Sequence, residues 1–104
     1  MTMVTVFRSR LREGAQVAYD DVAADMSRLV RLMEGFIDEK IFFSEDGERV
    51  TIVRFRDAAT QRAWAHHPDH LAAQQRGREE FYDWYDISVG DETYARTYLR
   101  STSP

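Results

Sequence analysis

The spacing of apolar residues switches along this chain between a two-residue repeat and one near 3.6, and the order of the switches leaves few folds open. Residues 3–11 are rich in β-branched and aromatic side chains and predict a strand that stops near Arg12, Glu13 and Gly14. From residue 15 to 34 the positions Ala18, Val22, Met26, Leu29, Val30 and Met33 recur at intervals of three and four, which predicts one stripe on an amphipathic helix. Asp20 and Asp21 lie early and Arg28 and Arg31 late, as the helix dipole favours, and Gly35 offers a left-handed stop.

Residues 36–44 and 49–56 are strand-like runs on either side of Glu45-Asp46-Gly47-Glu48, a hairpin signal. Asp57 then suits an N-cap for a helix over residues 58–66. Pro68 breaks that helix, because the residue before a proline avoids the α region, and the same proline suits the first turn of a new helix over residues 68–82. A last strand is expected from Trp84 through Ile87 and Val89, with Gly90-Asp91 as a bulge before a second β-rich stretch at 93–99. Residues 1–99 read as one domain and residues 100–104 as a flexible polar tail.

Strand, helix, strand, strand, helix, strand is the order of a ferredoxin-like βαββαβ domain, an α+β fold with helices on one face of an antiparallel sheet. Its first and third strands are central. Both carry apolar residues on two faces here: Phe7 and Leu11 against Val4 and Val6, and Val53 and Phe55 against Val50 and Ile52. One helical layer covers a single face, so the expected cover for the other is the sheet of a second copy, giving a homodimer.

Composition removes whole classes of function. A formal charge of -4 leaves no basic face for phosphates, so nucleic acid is not an expected partner. With no cysteine, thiolate catalysis, iron–sulfur clusters and cysteine-bound zinc are excluded. The N-terminal stretch alternates and carries Arg8 and Arg10, which fits neither a signal peptide nor a membrane span; a cytoplasmic address is expected.

The densest group of reactive side chains is Trp64-Ala65-His66-His67-Pro68-Asp69-His70. His67 and His70, three apart, have a metal-like spacing, but Pro68 interrupts it, and the ordinary reading is surface and capping histidines around a helix break. His70 is also a candidate general base for a phenol or enol. Phe81, Tyr82, Trp84 and Tyr85 are suited either to core packing or to an apolar pocket for a planar aromatic ligand, with a tyrosine hydroxyl as donor. Arg8, Arg10 and Arg54 lie in strands, where an inward arginine steadies an oxyanion and an edge arginine forms a salt bridge.

The run from Phe55 to Arg78, with its capping Asp57, Trp64, the break at His66-His67-Pro68 and then His70, resembles the signature segment of the antibiotic biosynthesis monooxygenase family. Gly35-Phe36 before the second strand and the closing Phe81-Tyr82, Tyr85 and Val89 extend the resemblance over about residues 3–89. It implies a dimeric α+β barrel. Some members of that family oxidise polycyclic phenols or anthrones with dioxygen and no cofactor, and others bind and degrade haem. The first activity implies Trp64, His70 and Tyr82 as the catalytic positions, a small aromatic substrate and neither cofactor nor metal. The haem branch uses an asparagine in the first strand, this tryptophan and a histidine about ten residues later. Ser9, Trp64 and Gln74 stand at those positions here, which makes haem the alternative cofactor. A noncatalytic dimer that binds a small hydrophobic ligand is the alternative from outside the enzymes.

Overall fold

The structure, a computed structural model, describes residues 1–101. β1 (Met3–Leu11), α1 (Gln16–Val30), β2 (Phe36–Phe43), β3 (Arg49–Phe55), α2 (Ala58–Ala65), α3 (Pro68–Arg76) and β4 (Tyr82–Asp91) follow in order, with a single π turn, Gly77–Phe81, joining α3 to β4. The sheet is antiparallel in the order β2-β3-β1-β4, so the first and third strands are central as the sequence predicts. No helix among the described residues is long and apolar enough to cross a membrane.

Register decides what each face of the sheet carries. Thr5, Phe7 and Ser9 pair with Val53, Thr51 and Arg49 of β3 and with Val89, Ile87 and Tyr85 of β4, and this set lies under the helices. Val4, Val6 and Arg8 pair with Arg54, Ile52 and Val50, and that set lies on the uncovered face. The arginines of the uncovered face are neutralised in place: Arg8 by Glu48, Arg10 by Asp46, and Arg54 by Asp38 and Glu92. None of the three therefore serves the helix-covered side, where an oxyanion-steadying arginine would be needed.

Two local devices start and stop the elements beside α2. Asp57 caps α2 as expected, accepting from the Thr60 backbone N–H at 2.9 Å, while the Thr60 side chain reciprocates toward Asp57 in a capping box. Thr60 is buried against Gly35, whose φ of +82° is left-handed and where a Cβ would lie 2.4 Å from the Thr60 hydroxyl. Gly35 is thus required twice, by conformation and by space. It does not stop α1, which ends five residues earlier, at Val30 rather than at residue 34.

The core forms two clusters. Val30, Val53, Phe55 and Trp64 make one, and Ala15, Tyr19 and Phe81 the other. Burying a Phe55 or Val30 side chain contributes about 1.5–3 kcal/mol, and both are 1% exposed. The α1 stripe runs through Tyr19 instead of Ala18, which faces solvent: the helix begins at Gln16, directly after the buried Ala15, and four residues on from Ala15 is Tyr19.

Three expectations change at the C-terminal side. Residues 93–99 form no strand, and β4 remains an edge of the sheet. The bulge falls at Asp83, where Arg10 pairs Trp84 and Leu11 pairs Tyr82, while Gly90 and Asp91 stay in register. The helix expected over residues 68–82 ends at Arg76 and passes into the π turn. Of the tail expected at 100–104, residues 102–104 lie outside the described residues.

Replacing Gly35 with alanine is expected to destabilise the fold more than the same change at Gly47, which also has a positive φ (+88°) but only the Arg10 guanidinium, at 3.8 Å, nearby. The left-handed strain of about 1–2 kcal/mol is common to both, and the clash with Thr60 is specific to Gly35. Chemical denaturation of the two variants checks it, and equal losses would show that Thr60 yields.

Candidate functional site

Between the two core clusters, under the helices, lies a cavity of about 250 Å³. Its floor is Thr5, Phe7, Thr51 and Val53 of the central strands; Met26 of α1 and Trp64 and His70 of the α2–α3 unit stand over it. Tyr82 and Tyr85 close one side, where the cavity reaches the edge strand. The structure thus brings together Trp64, His70 and Tyr82, the three positions singled out from sequence.

The geometry of Trp64 and His70 follows from the helix break. His67, held by Pro68 at ψ 133°, leaves the helical region and caps α3, its Nδ1 accepting from the Asp69 backbone N–H at 3.1 Å. α3 then turns back so that the His70 ring stacks on Trp64, centroids 4.1 Å apart and planes at 14°. His70 Nδ1 lies 3.0 Å from the Trp64 carbonyl oxygen, an atom that can only accept, so Nδ1 carries the proton. The Gln74 amide, 3.3 Å from the same nitrogen, donates instead to the Ala65 carbonyl at 3.4 Å. Nε2 is left as the ring's basic nitrogen, with no hydrogen-bond partner among the described residues. Burial disfavours the imidazolium and, outweighing the pull of the Trp64 carbonyl, lowers the His70 pKa below its ordinary value. His70 is therefore a neutral base at pH 7.

Trp64 is 7% exposed and belongs both to a core cluster and to the cavity wall. His66 is exposed, and His67 is occupied as a cap; among the described residues no three His, Asp or Glu are grouped so as to hold a metal ion.

Tyr82 reaches the cavity because of the bulge. In a regular strand Tyr82 and Tyr85, three apart, would face opposite sides; the extra residue Asp83 turns both inward, with their rings 5.6 Å apart and each against Phe7. The Tyr82 ring also covers Gly77, where a Cβ would come within 2.4 Å of it. Burial, and then the neighbouring Tyr19 hydroxyl, push the Tyr82 phenol far above its usual range, so it stays a neutral hydrogen-bond donor.

Arg49 is the residue that sequence reasoning missed. It lines the cavity near Tyr19, its guanidinium 4.8 Å from that ring's centroid, and its Nε is sealed from solvent without an acceptor among the described residues. The signal was available: in β3, Arg49 shares parity with Val53 and Phe55, whereas Arg54 shares it with Val50 and Ile52. Glu39, the carboxylate in the cavity wall, is held by the Ser27 hydroxyl at 2.8 Å and by Arg31 at 3.5 Å. It pairs with Val53, two rungs of the same strand face from Arg49.

Known proteins agree with this architecture. In its fold the chain is similar to Rv0793 from Mycobacterium tuberculosis, with a TM-score of 0.82 at 18% identity over 93% of this chain and 100% of that one. It is similar also to SnoaB, a cofactor-independent oxygenase from Streptomyces nogalater, with a TM-score of 0.77 at 17% identity over 90% of this chain and 95% of that one. In sequence it is 24% identical to YqjZ of Bacillus subtilis over 98 residues, 94% of this chain and 86% of that protein. The model of one family, antibiotic biosynthesis monooxygenase, matches residues 2–76. With most of its length matched by that model and its fold shared with a cofactor-independent oxygenase, the chain belongs to the antibiotic biosynthesis monooxygenase family.

Proposed function

We propose that this protein is a cofactor-independent monooxygenase that oxidises a small aromatic phenol or enol with dioxygen. The observation that carries the reading is the His70–Trp64 pair: a neutral imidazole, fixed in one tautomer by a backbone carbonyl and stacked on an indole in the wall of an apolar cavity. His70 Nε2 takes the acidic proton of the bound substrate. The resulting anion is electron-rich enough to reduce dioxygen itself. A C–O bond forms at the activated ring carbon, the peroxide O–O bond then breaks, one oxygen stays as the quinone carbonyl, and the other leaves as water with two substrate hydrogens. The substrate supplies all four electrons. Tyr82 donates a hydrogen bond, and Trp64 and Phe7 shape the slot that excludes water.

Cavity size bears on the substrate. About 150 Å³ accommodates benzene, so the 250 Å³ here suits one or two fused rings, with the rim by Tyr85 and Ile87 (38% and 52% exposed) open to anything longer. Haem is the weaker reading, since the space is below the roughly 300–1,000 Å³ of ordinary ligand pockets and Gln74 holds the Ala65 carbonyl where that branch needs a histidine. The noncatalytic reading shares this cavity and differs only in lacking turnover.

The homodimer is part of the same reading. Val4, Val6, Val50 and Ile52 form an apolar strip on the uncovered face, with Phe42 (50% exposed) beside it. Arginines paired on the same face let it be covered without stranding a charge. Tyr94, Tyr98 and Leu99, all more than 75% exposed beyond β4, add a second apolar surface. Light scattering across a dilution series is expected to give twice the chain mass into the low micromolar range. Ile52→Glu on the strip is expected to halve it, and a wild-type monomer at high micromolar concentration would contradict the pairing.

Oxygen uptake tests the reaction. With a panel of naphthols and anthrones, wild-type protein is expected to consume oxygen with at least one, and His70→Ala to lower kcat about 10²-fold, the smaller end of general-base effects. Because the His70 pKa is lowered, the base is free at neutral pH; kcat/KM stays level there and falls only as the pH drops below the usual imidazole range. That acid limb disappears in His70→Ala. Trp64→Phe is expected to cost about 1–3 kcal/mol of stability by lost burial and to change KM as well. Equal turnover by the wild type and both variants would remove both residues from the chemistry.

A further inference from the structure

Arg49 is the cation in the cavity wall that the proposed reaction leaves unused. Arg8, Arg10 and Arg54 each have a carboxylate partner, and Arg12 is engaged by the carbonyls of Arg78, Glu79 and Tyr82. No ion pair engages Arg49 among the described residues. Its guanidinium lies over the rings of Tyr19 (4.8 Å) and Phe43 (5.9 Å), and its buried Nε has no acceptor among the described residues. Directly across the β1–β3 ladder stands Ser9, wholly buried, whose Oγ is likewise without a partner.

Two buried donors left unmade on adjacent strands are costly unless something accepts from them. Arg49 also borders a second, polar recess with Ser9, Phe43, Glu13 and Asp83, and neither of those carboxylates forms an ion pair with it. A guanidinium held against aromatic rings still has in-plane N–H donors, the part that meets a planar two-oxygen acceptor. Arg49 packs on Tyr19 of one core cluster, whereas His70 stacks on Trp64 of the other, so base and cation belong to opposite ends of the cavity. Its charge is felt at the Tyr82 hydroxyl, which packs against the same cluster.

We propose that Arg49 is the docking site for a carboxylate carried by the aromatic ligand at the end remote from the hydroxyl that His70 deprotonates. The proposal rests on the reading of this cavity as an aromatic-ligand site and narrows its ligand to hydroxyaryl carboxylates. Arg49 is then a specificity residue: it holds the ring in register with His70 and rejects neutral analogues, which leave its donors unpaired.

Titration calorimetry without oxygen turnover tests it, with 6-hydroxy-2-naphthoate against 2-naphthol as probes. Wild-type protein is expected to bind the carboxylate at least tenfold more tightly, Arg49→Gln to abolish the preference, and Arg49→Lys to keep part of it. Arg54→Gln, on the opposite sheet face, is expected to leave it unchanged, and near-ultraviolet circular dichroism verifies that each variant is folded. Equal affinities in the wild type, a preference that survives in folded Arg49→Gln, or no binding of either probe at about 1 mM, well above the range in which a buried charge-assisted contact operates, would each overturn it. A carboxylate preference without oxygen uptake would leave Arg49 its role and remove the oxygenase reading; uptake with neutral naphthols and no preference would do the reverse.

Discussion

The break between α2 and α3 is the constraint on which the site depends. On one continuous helix, residues six apart project about 120° from each other, so Trp64 and His70 could not stack. Pro68 forbids continuation, His67 takes the extended conformation that a residue before proline prefers, and α3 returns with His70 over Trp64. The same turn brings the Trp64 carbonyl to His70 Nδ1, which fixes the tautomer. A backbone interruption, and no charged partner, thereby makes a neutral base. Everything upstream serves to aim it: the Asp57–Thr60 capping box starts α2, and Thr60 seats that start against Gly35.

A core of this size usually closes into one cluster. Here it is split, with Trp64 at the centre of one part and Tyr19 and Phe81 at the centre of the other, and the gap between them is the cavity. The split gives the site polarity. One end offers a neutral imidazole, while the other offers a phenol held neutral by burial and an arginine without an ion pair among the described residues. Such an arrangement lowers stability relative to a filled core, a cost ordinarily accepted where a ligand is bound.

How much of this the sequence disclosed depended on whether the signal was local. Asp57 as a cap, the Asp46-Gly47 turn and the break at Pro68 each rest on the conformational preference of one residue, and each stands in the structure; Gly35 is left-handed as expected, but α1 ends before it, at Val30. The βαββαβ order of elements placed β1 and β3 at the centre of the sheet. What depended on pairing was hidden. Asp83 rather than Gly90 carries the bulge because Leu11 and Arg10 demand a register that no property of Asp83 announces. Residues 93–99 have strand-like composition yet add no strand to the open β4 edge. Arg8, Arg10 and Arg54 were read as candidates and lie on the other face, while Arg49, which shares the parity of Val53 and Phe55, was passed over because a strand's first residue is easily taken for part of the turn.

The most direct measurement concerns the protonation of one ring. In ¹⁵N-labelled protein at pH 7, long-range proton–nitrogen correlation of the three histidines, assigned with His70→Gln, reports which nitrogen of His70 bears hydrogen. The geometry requires a neutral ring with the proton on Nδ1 and a bare Nε2, persisting to a pH below the ordinary imidazole range. A His70 that is protonated on Nε2, or already an imidazolium at pH 7, would contradict the claim that this cavity holds a base.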